Sequence, residues 1–200
     1  MHKALAQFAE NVRRARALGG LASAVASMTT SAIDVSDVLR AQLVLAVSAL
    51  DHFVHEVVRL GMIEIAKGVR PKTEAYLRFR MPVTAVEFAL SGLPHETWIG
   101  ETVREHHSWQ SFQDPEKIAD AIRLISPVKL WEMVGKELGL LAQDVKTELK
   151  LVVERRNRIA HEADMDPANP GFRWPISGNQ VESTSDFVER VGRAIYKVLV

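Results

Sequence analysis

The sequence predicts an all-α fold in which two long antiparallel helices form the core of a bundle and several short helices surround them. Apolar residues recur at helical spacing along most of the 200 residues. Strand and helix patterns do not alternate, which disfavours a parallel sheet. No internal repeat or dividing linker interrupts the chain, so we expect one domain over residues 1–200.

The first long helix of the core is predicted from Ser36 to Lys67, because apolar residues surround its middle and Gly68 and Pro71 provide a stop signal. Ser31 and Asp34 are candidate caps for its start. An extra N-terminal helix is predicted within residues 1–30 by four apolar residues at helical spacing: Leu5, Phe8, Val12 and Ala15. We expect the pair Gly19-Gly20 to loosen that helix.

Capping signals mark the remaining helices. The starts are predicted at Thr73 for Glu74–Arg80, at Thr84-x-x-Glu87, at Asp114-Pro115, at Ser126-Pro127 and at Ser183-x-x-Asp186 for a last helix through Leu199. A short helix is expected at His95–His107 and the second long core helix at Asp144–His161. Residues 163–183 form a long loop, and strand is expected only in Phe172–Glu182, as a small hairpin turning at Ser177-Gly178-Asn179.

Composition excludes several classes of function. The chain has 25 basic and 25 acidic residues, so nucleic-acid binding by bulk charge is disfavoured and any such contact must be local. The absence of cysteine excludes disulfides, cysteine zinc sites and cysteine nucleophiles. The best candidate for a membrane helix, Ala41–Leu50, is closed by Arg40 and Asp51 and is too short to span a membrane. Arg13, Arg14 and Arg16 before a weakly apolar stretch only loosely resemble a signal peptide, and we expect a cytoplasmic protein without membrane contact.

No cofactor motif is present. A glycine-rich phosphate loop, a dinucleotide fingerprint, a Glu-x-x-His pair and a His-Glu-x-x-His motif are all missing from the sequence. His52-x-x-His55 puts two imidazoles on one helix face and could hold a metal, but no third ligand is evident. A partly exposed polar face is the favoured interpretation, so we expect neither a metal nor a cofactor.

The segment 154–162 carries the strongest candidate for chemistry. Arg156 lies three and four residues after Val153 and Val152, so it continues their apolar stripe, where an arginine needs an anion or a partner. Asn157 and His161 are four residues apart and share a face. The alternatives are a salt bridge from Arg156 to the second helix and a helix cap by His161. These residues therefore predict an anion site without specifying a reaction.

Neighbouring residues are weaker candidates. Arg155 and Arg158 are expected to be solvated charges. Arg40, Asp51 and His55 form a polar line on the second helix that either orients His161 and pairs with Arg156 or is a solvated edge. Two aromatic residues of the long loop, Phe172 and Trp174, either stack on nucleobases or, more commonly for such residues, plug the core.

Arg156-Asn157-Arg158-Ile159-Ala160-His161 resembles the Arg-x4-6-His motif of HEPN domains, including the polar residue after the arginine. Residues 37–53 resemble the first core helix of that family. Residues 111–122 and 153–162 resemble its RiboL-PSP branch, so the likeness covers roughly 34–162. It implies a HEPN-like bundle that dimerises and brings two motifs together at the dimer axis.

The resemblance also implies an activity: a metal-independent endoribonuclease, acting in defence or as a toxin, that leaves 2′,3′-cyclic phosphate and 5′-hydroxyl ends. Arg156 and His161 would be catalytic, with Asn157 in support. Asp51 and Arg40 are supporting candidates only through the polar line that they form on the second helix. A histidine can transfer the protons and an arginine can stabilise the phosphate. The expected partners are an RNA substrate, a second copy of the chain and an antitoxin or other regulator. The alternative is a non-catalytic module that dimerises or binds a nucleotide or RNA.

The spacing of the motif separates its two candidate catalytic residues around the helix. Arg156 and His161 are separated by about 140° around a helix, so one helix does not easily present both to the same phosphate. A site shared by two chains relieves this problem, because each chain then contributes its groups from a different direction.

Overall fold

A computed structural model describes residues 1–30 and 33–200, which hold nine α-helices and no strand. The helices are α1 (His2–Met28), α2 (Ser36–Ala66), α3 (Glu74–Leu77), α4 (Val83–Leu90), α5 (His95–His107), α6 (Pro115–Arg123), α7 (Leu130–Leu138), α8 (Ala142–Glu162) and α9 (Gly178–Leu199). The predicted all-α fold is confirmed. Ser31, one of the two candidate caps of α2, lies outside the described residues.

The helix α2 occupies the centre of the bundle. It packs against α1, α5, α8 and α9, and its buried residues include Leu50, Phe53 and Val54, which have almost no exposed surface. Burial on nearly all sides is what the continuous apolar run in its sequence requires. One connected cluster of buried apolar side chains includes residues from α1, α2, α5, α6, α7, α8 and α9.

The start of α2 lies beside the end of α8. Arg40, in the second turn of α2, contacts both Ser36 and Asp164, the second residue after α8. Further along α2, Asp51 contacts the segment just before α6. Near the start of α8, Lys146 forms an ion pair with Glu116 at the start of α6. These contacts orient α2 and α8 in opposite directions and bring the candidate motif to one end of the bundle.

Several predicted boundaries agree with the structure. α2 begins at the predicted Ser36 and ends one residue before the predicted Lys67. α8 starts two residues before the predicted Asp144 and ends one residue after the predicted His161, and α5 has the predicted bounds. The Thr73 side chain accepts a hydrogen bond from Tyr76 N, and Asp114 accepts from Glu116 N, so both act as the expected caps. Short polar side chains that accept backbone N–H bonds are the most readable helix signals.

The predicted hairpin in Phe172–Glu182 is wrong. Ser177, assigned to its turn, instead caps α9, which begins at Gly178. Its hydroxyl accepts a hydrogen bond from Gln180 N, and the Gln180 side chain accepts one from Ser177 N. This reciprocal pair is a capping box, and it starts the helix before the predicted cap at Ser183-x-x-Asp186. The long loop therefore ends at 177, and an isolated bridge between Met165 and Arg173 is the one β-type pairing in the described residues.

Four other local predictions are wrong. α3 ends at Leu77 rather than at the predicted Arg80. α4 begins at Val83, before Thr84, and has no side-chain cap. α7 begins at Leu130 rather than at Ser126-Pro127, because Ser126 accepts a hydrogen bond from Val128 N within the preceding turn. α1 continues through Gly19-Gly20, and Gly19 allows the Gln42 side chain to approach the α1 backbone.

The described residues contain no helix that combines the length and the apolar character needed to cross a membrane.

Candidate functional site

The candidate site lies where α8 ends and the chain turns back. Ala163 and Asp164 both adopt left-handed backbone conformations, with φ of 50° and 59°. Residues other than glycine rarely adopt this conformation, so the surrounding structure must hold them there. Asp164 N donates to Arg158 O at 3.0 Å, which closes the helix end, and Trp174 N donates to Asp164 O at 2.9 Å. The turn is therefore held from both sides.

Two arginines share the buried carboxylate of Asp164. Arg40 Nε donates to Asp164 Oδ2 at 2.7 Å, and Arg155 Nη2 donates to the same oxygen at 2.8 Å. Arg40 also donates to the Trp174 carbonyl at 2.9 Å, while Arg155 donates to the Pro175 carbonyl at 3.1 Å. Asp37 also lies 3.6 Å from Arg40 Nη1, so the two arginines are balanced by one fully buried and one exposed carboxylate.

The prediction that Arg155 is a solvated charge is therefore wrong. Its guanidinium ties α8 to the returning loop through Asp164 and two backbone carbonyls. Burial lowers the pKa of Arg155, while Asp164 opposes that shift, and an arginine stays charged in either case. Asp164 was not a candidate from the sequence, and the available signal was an acidic residue shortly after a run of arginines.

The motif residues form a second layer on the same helix end. Arg156 is half-buried, and its Nη1 donates to Asn157 Oδ1 at 3.1 Å. Asn157 lies four residues before the exposed His161, so these two share a helix face. The hydrogen bond thus links Arg156 to the residue that shares a face with His161, although the positions of Arg156 and His161 are about 140° apart around the helix.

Positive charge remains unpaired around this motif. Among the residues that the structure describes, Arg156 and Arg158 form no ion pair with a carboxylate, and Arg156 Nε is buried without a hydrogen-bond partner. Arg158 instead lies over the Trp174 ring, 5.8 Å from its centroid, in a cation–π contact. Unpaired guanidinium groups beside an exposed imidazole can hold an anion such as a phosphate.

The loop aromatics have different positions. Trp174 is half-buried under Arg158, whereas Phe172 is 72% exposed and does not plug the core. Phe172 is therefore the loop aromatic that is free to stack on a ligand.

Asp51 does not join the motif. Its carboxylate accepts hydrogen bonds from Phe112 N at 2.7 Å and Gln113 Nε2 at 2.9 Å, and it lies 3.5 Å from His55 Nε2. Burial works against ionisation, but these hydrogen bonds lower the pKa of Asp51. Asp51 therefore neither pairs with Arg156 nor orients His161; it holds the segment before α6. Of the predicted polar line on α2, only Arg40 reaches the end of α8.

No cluster of three or more histidine, aspartate or glutamate residues able to hold a metal ion occurs in the described part of the chain. The fold and the site together define an all-helical protein with a candidate anion site at the end of one long helix.

Comparisons of the chain with protein-family models, with curated proteins and with solved structures found no match. The similarity to HEPN domains therefore stays a prediction that depends on the residues of the motif and on the pattern of the core helices.

Proposed function

We propose that the protein is a metal-independent endoribonuclease of the HEPN type that acts as a homodimer, with Arg156 and His161 as its catalytic residues. The observation that carries the proposal is the contact of Arg156 with Asn157, which links an arginine without a carboxylate partner to the residue that shares a helix face with the exposed His161. An arginine fork and an imidazole are the two groups that phosphodiester cleavage by a 2′-hydroxyl needs.

The proposed reaction is an internal transfer at phosphorus. The 2′-oxygen attacks the scissile phosphorus, the bond from phosphorus to the 5′-oxygen breaks, and a 2′,3′-cyclic phosphate and a 5′-hydroxyl result. His161 of one chain accepts the proton of the 2′-hydroxyl, and the partner subunit's His161 protonates the departing 5′-oxygen. Arg156 stabilises the negative charge that develops on the phosphoryl oxygens, and Asn157 keeps its guanidinium in place.

Arg40, Asp164 and Arg155 support the site without touching the substrate. Their shared hydrogen bonds hold the left-handed turn directly after His161, so the imidazole stands on a fixed helix end rather than on a frayed one. In this scheme Arg40 is a positioning residue and Asp51 has no part in the reaction.

The test is cleavage of a long single-stranded RNA in EDTA. His161→Ala is expected to lower the rate by about 10²- to 10⁴-fold. Arg156→Ala is expected to lower it by about 10²- to 10³-fold. His95→Ala and Arg80→Ala are the matched controls, because both residues are exposed on other parts of the surface. Thermal unfolding of each variant separates a catalytic loss from a folding defect.

Two outcomes would reject the nuclease. Full cleavage by His161→Ala removes the proton-transfer role, and cleavage that stops in EDTA and returns with Mg²⁺ removes the metal-independent mechanism. A non-catalytic RNA-binding module is the alternative function, since the unpaired arginines would hold a phosphate without cleaving it. Binding of RNA that weakens in Arg156→Ala, with no cleavage by the unsubstituted protein, would favour that alternative.

A further inference from the structure

A cavity of about 510 Å³ opens between the end of α5, the segment 108–114 and α6. Its volume is in the range of small-molecule sites. Its lining includes five aromatic side chains and one lysine: Phe79, His106, His107, Trp109, Phe112 and Lys117.

The walls of this cavity are aromatic and steeply inclined to one another. The Phe79 ring lies 4.7 Å from the His106 ring at 65°, and 6.0 Å from the His107 ring at 76°. The His107 and Phe112 rings are 5.1 Å apart at 84°. Rings in this arrangement offer both faces and edges, which is the environment that a planar aromatic guest packs against.

Two features of the cavity are costly in the protein alone. His107 is 3% exposed, and its Nδ1 is buried without a hydrogen-bond partner among the described residues. Trp109 is 79% exposed at the mouth, although burying a large aromatic side chain is favourable. The imidazole nitrogen becomes less costly when a ligand forms a hydrogen bond with it, and the tryptophan ring becomes less costly when a ligand covers it.

The charges at the mouth favour an anion. Lys117 is exposed and has no ion pair within the described part of the chain, whereas Asp120, at the same mouth, is paired with Arg123. Burial, together with the neighbouring His106 and His55, lowers the pKa of His107 to about 4, so its imidazole is neutral at pH 7. The unpaired positive charge at the cavity mouth is therefore that of Lys117.

A larger cavity of about 930 Å³ lies between α3, α6, α7 and α8, but its charged groups already satisfy one another. Lys146 pairs with Glu116, and Lys129 pairs with Glu132. It therefore offers a ligand no uncompensated group.

The cavity beside His107 is also distinct from the end of α8. His55 of α2 packs on Phe112, with the ring centroids 4.4 Å apart. His55 follows Arg40 by 15 residues on the same helix. At 1.5 Å per residue this is about 22 Å, so a ligand in the cavity does not touch the Asp164 cluster.

We propose that this cavity binds a small planar aromatic anion, with the ring between Phe79, Trp109 and Phe112 and the anionic group on Lys117. Two sources share this chemistry, an aromatic carboxylate and a nucleoside monophosphate. The site stands independently of the nuclease activity, because none of its residues belongs to the motif on α8.

The experiment measures binding to the full chain by calorimetry at pH 7.5, with indole-3-acetate and adenosine 5′-monophosphate as the two probes. Indole-3-ethanol, adenosine and inorganic phosphate lack either the anion or the ring and are the matched controls. We expect saturable binding of at least one of the two probes and a Kd at least about 10-fold weaker for these controls, as one lost charge contact implies.

Trp109→Ala and Lys117→Ala test the assignment of the cavity. Each side chain is exposed, so the fold should survive, and each change is expected to weaken the bound probe by about 10-fold. Lys150→Ala, an exposed lysine of α8, should leave the Kd unchanged. The proposal is overturned if neither probe binds at millimolar concentration, or if binding persists unchanged in both variants. The stronger of the two probes identifies the source.

Discussion

At the scale of single residues, Asp164 is the group on which the end of α8 depends. Its backbone is left-handed, its side chain is fully buried, and two arginines donate to one of its oxygens. A charge of this kind is tolerated in the interior because its partners are already in place. Removing one of these charged groups therefore destabilises the protein by more than the loss of its own hydrogen bonds, because the remaining charges stay in the interior without their partner.

Asp164→Asn tests this dependence. The amide keeps the size of the side chain but removes the charge that Arg40 and Arg155 share. Arg155 then has no carboxylate partner among the described residues, and Arg40 has only the exposed Asp37, 3.6 Å away. We therefore expect a loss of about 3 kcal/mol in the free energy of unfolding. Chemical denaturation at pH 7 measures it. Glu162→Gln, an exposed carboxyl two residues earlier, is the matched control and should change stability by less than about 0.5 kcal/mol. Equal effects of the two substitutions would contradict the role assigned to Asp164.

The cluster around Asp164 also explains why Arg155 was wrongly predicted to be a solvated charge. Arg40 and Asp164 are 124 residues apart, and the sequence pattern gives no sign that they meet. The apolar stripe correctly gave Arg156 a half-buried position, because that argument needs only helical periodicity. A buried ion pair between distant segments depends on tertiary packing, so its members look like solvated charges in the sequence.

His107 gives the protein a specific dependence on pH. Its pKa is near 4 in the folded protein, against about 6.5 when it is solvated, so the unfolded chain binds more protons between these values. The contribution of His107 to the free energy of unfolding is fully present above pH 6.5. It is lost as the pH falls toward 4, by up to about 1.4 kcal/mol per pH unit. Urea unfolding at pH 7 and pH 5 should show a smaller difference for His107→Gln than for the unsubstituted protein. The exposed His95→Gln should retain the full difference, and an unchanged difference in His107→Gln would exclude this origin.

At the scale of elements, the start of α9 shows how two similar signals compete. Ser177-x-x-Gln180 and Ser183-x-x-Asp186 both have the spacing of a cap, but only the first makes the reciprocal hydrogen bonds. Because α9 starts at Gly178, Ser183 lies in the middle of the helix on its exposed side. No unbonded backbone N–H remains there from which its hydroxyl could accept a hydrogen bond. The glycine and asparagine after Ser177 suggested a turn, yet both are compatible with the first turn of a helix.

Ser177→Ala and Ser183→Ala distinguish the two starts. We expect Ser177→Ala to lower the free energy of unfolding by about 1 kcal/mol, because an orphan N–H of α9 loses its acceptor. Ser183→Ala should be neutral or slightly stabilising, since alanine is the better helix former. The reverse order, measured by thermal unfolding, would mean that α9 begins six residues later.

Gly192 of α9 allows the ring of Phe8 of α1 to approach closely. A Cβ at Gly192 of α9 would overlap the ring of Phe8, which is fully buried in α1. Gly192→Ala should therefore destabilise the protein by about 1 to 3 kcal/mol despite the helix preference of alanine. Gly20→Ala is the matched control, because nothing lies near that Cβ, and it should stabilise by up to about 1 kcal/mol. A stabilising Gly192→Ala would show that α1 does not pack against α9 in solution.

At the scale of the whole molecule, the helical class and the bounds of α2 and α8 were predictable because they depend on periodicity over many residues. The position of α1 in the bundle could not be predicted from the sequence. It was expected to be an extra helix loosened by Gly19-Gly20, but it runs straight through them, along α2 and against α9. Gly19 marks a close approach of the Gln42 side chain, and that role depends on a neighbour that the local sequence does not specify.

Assembly is the property on which the proposed nuclease depends most, because one α8 carries Arg156 and His161 on different sides. The outer face of this helix carries Leu151, which is 60% exposed and lies two turns before Arg158 on the same line. We expect a two-fold homodimer with α8 at its interface, detected by light scattering at tens of micromolar. A charge in such an interface is unfavourable, so Leu151→Arg should produce monomers and abolish RNA cleavage while Arg156 and His161 stay intact. Leu90→Arg, at an exposed leucine of α4, should keep both the dimer and the activity. A monomer that cleaves RNA, or a dimer that withstands Leu151→Arg, would refute the two-chain site.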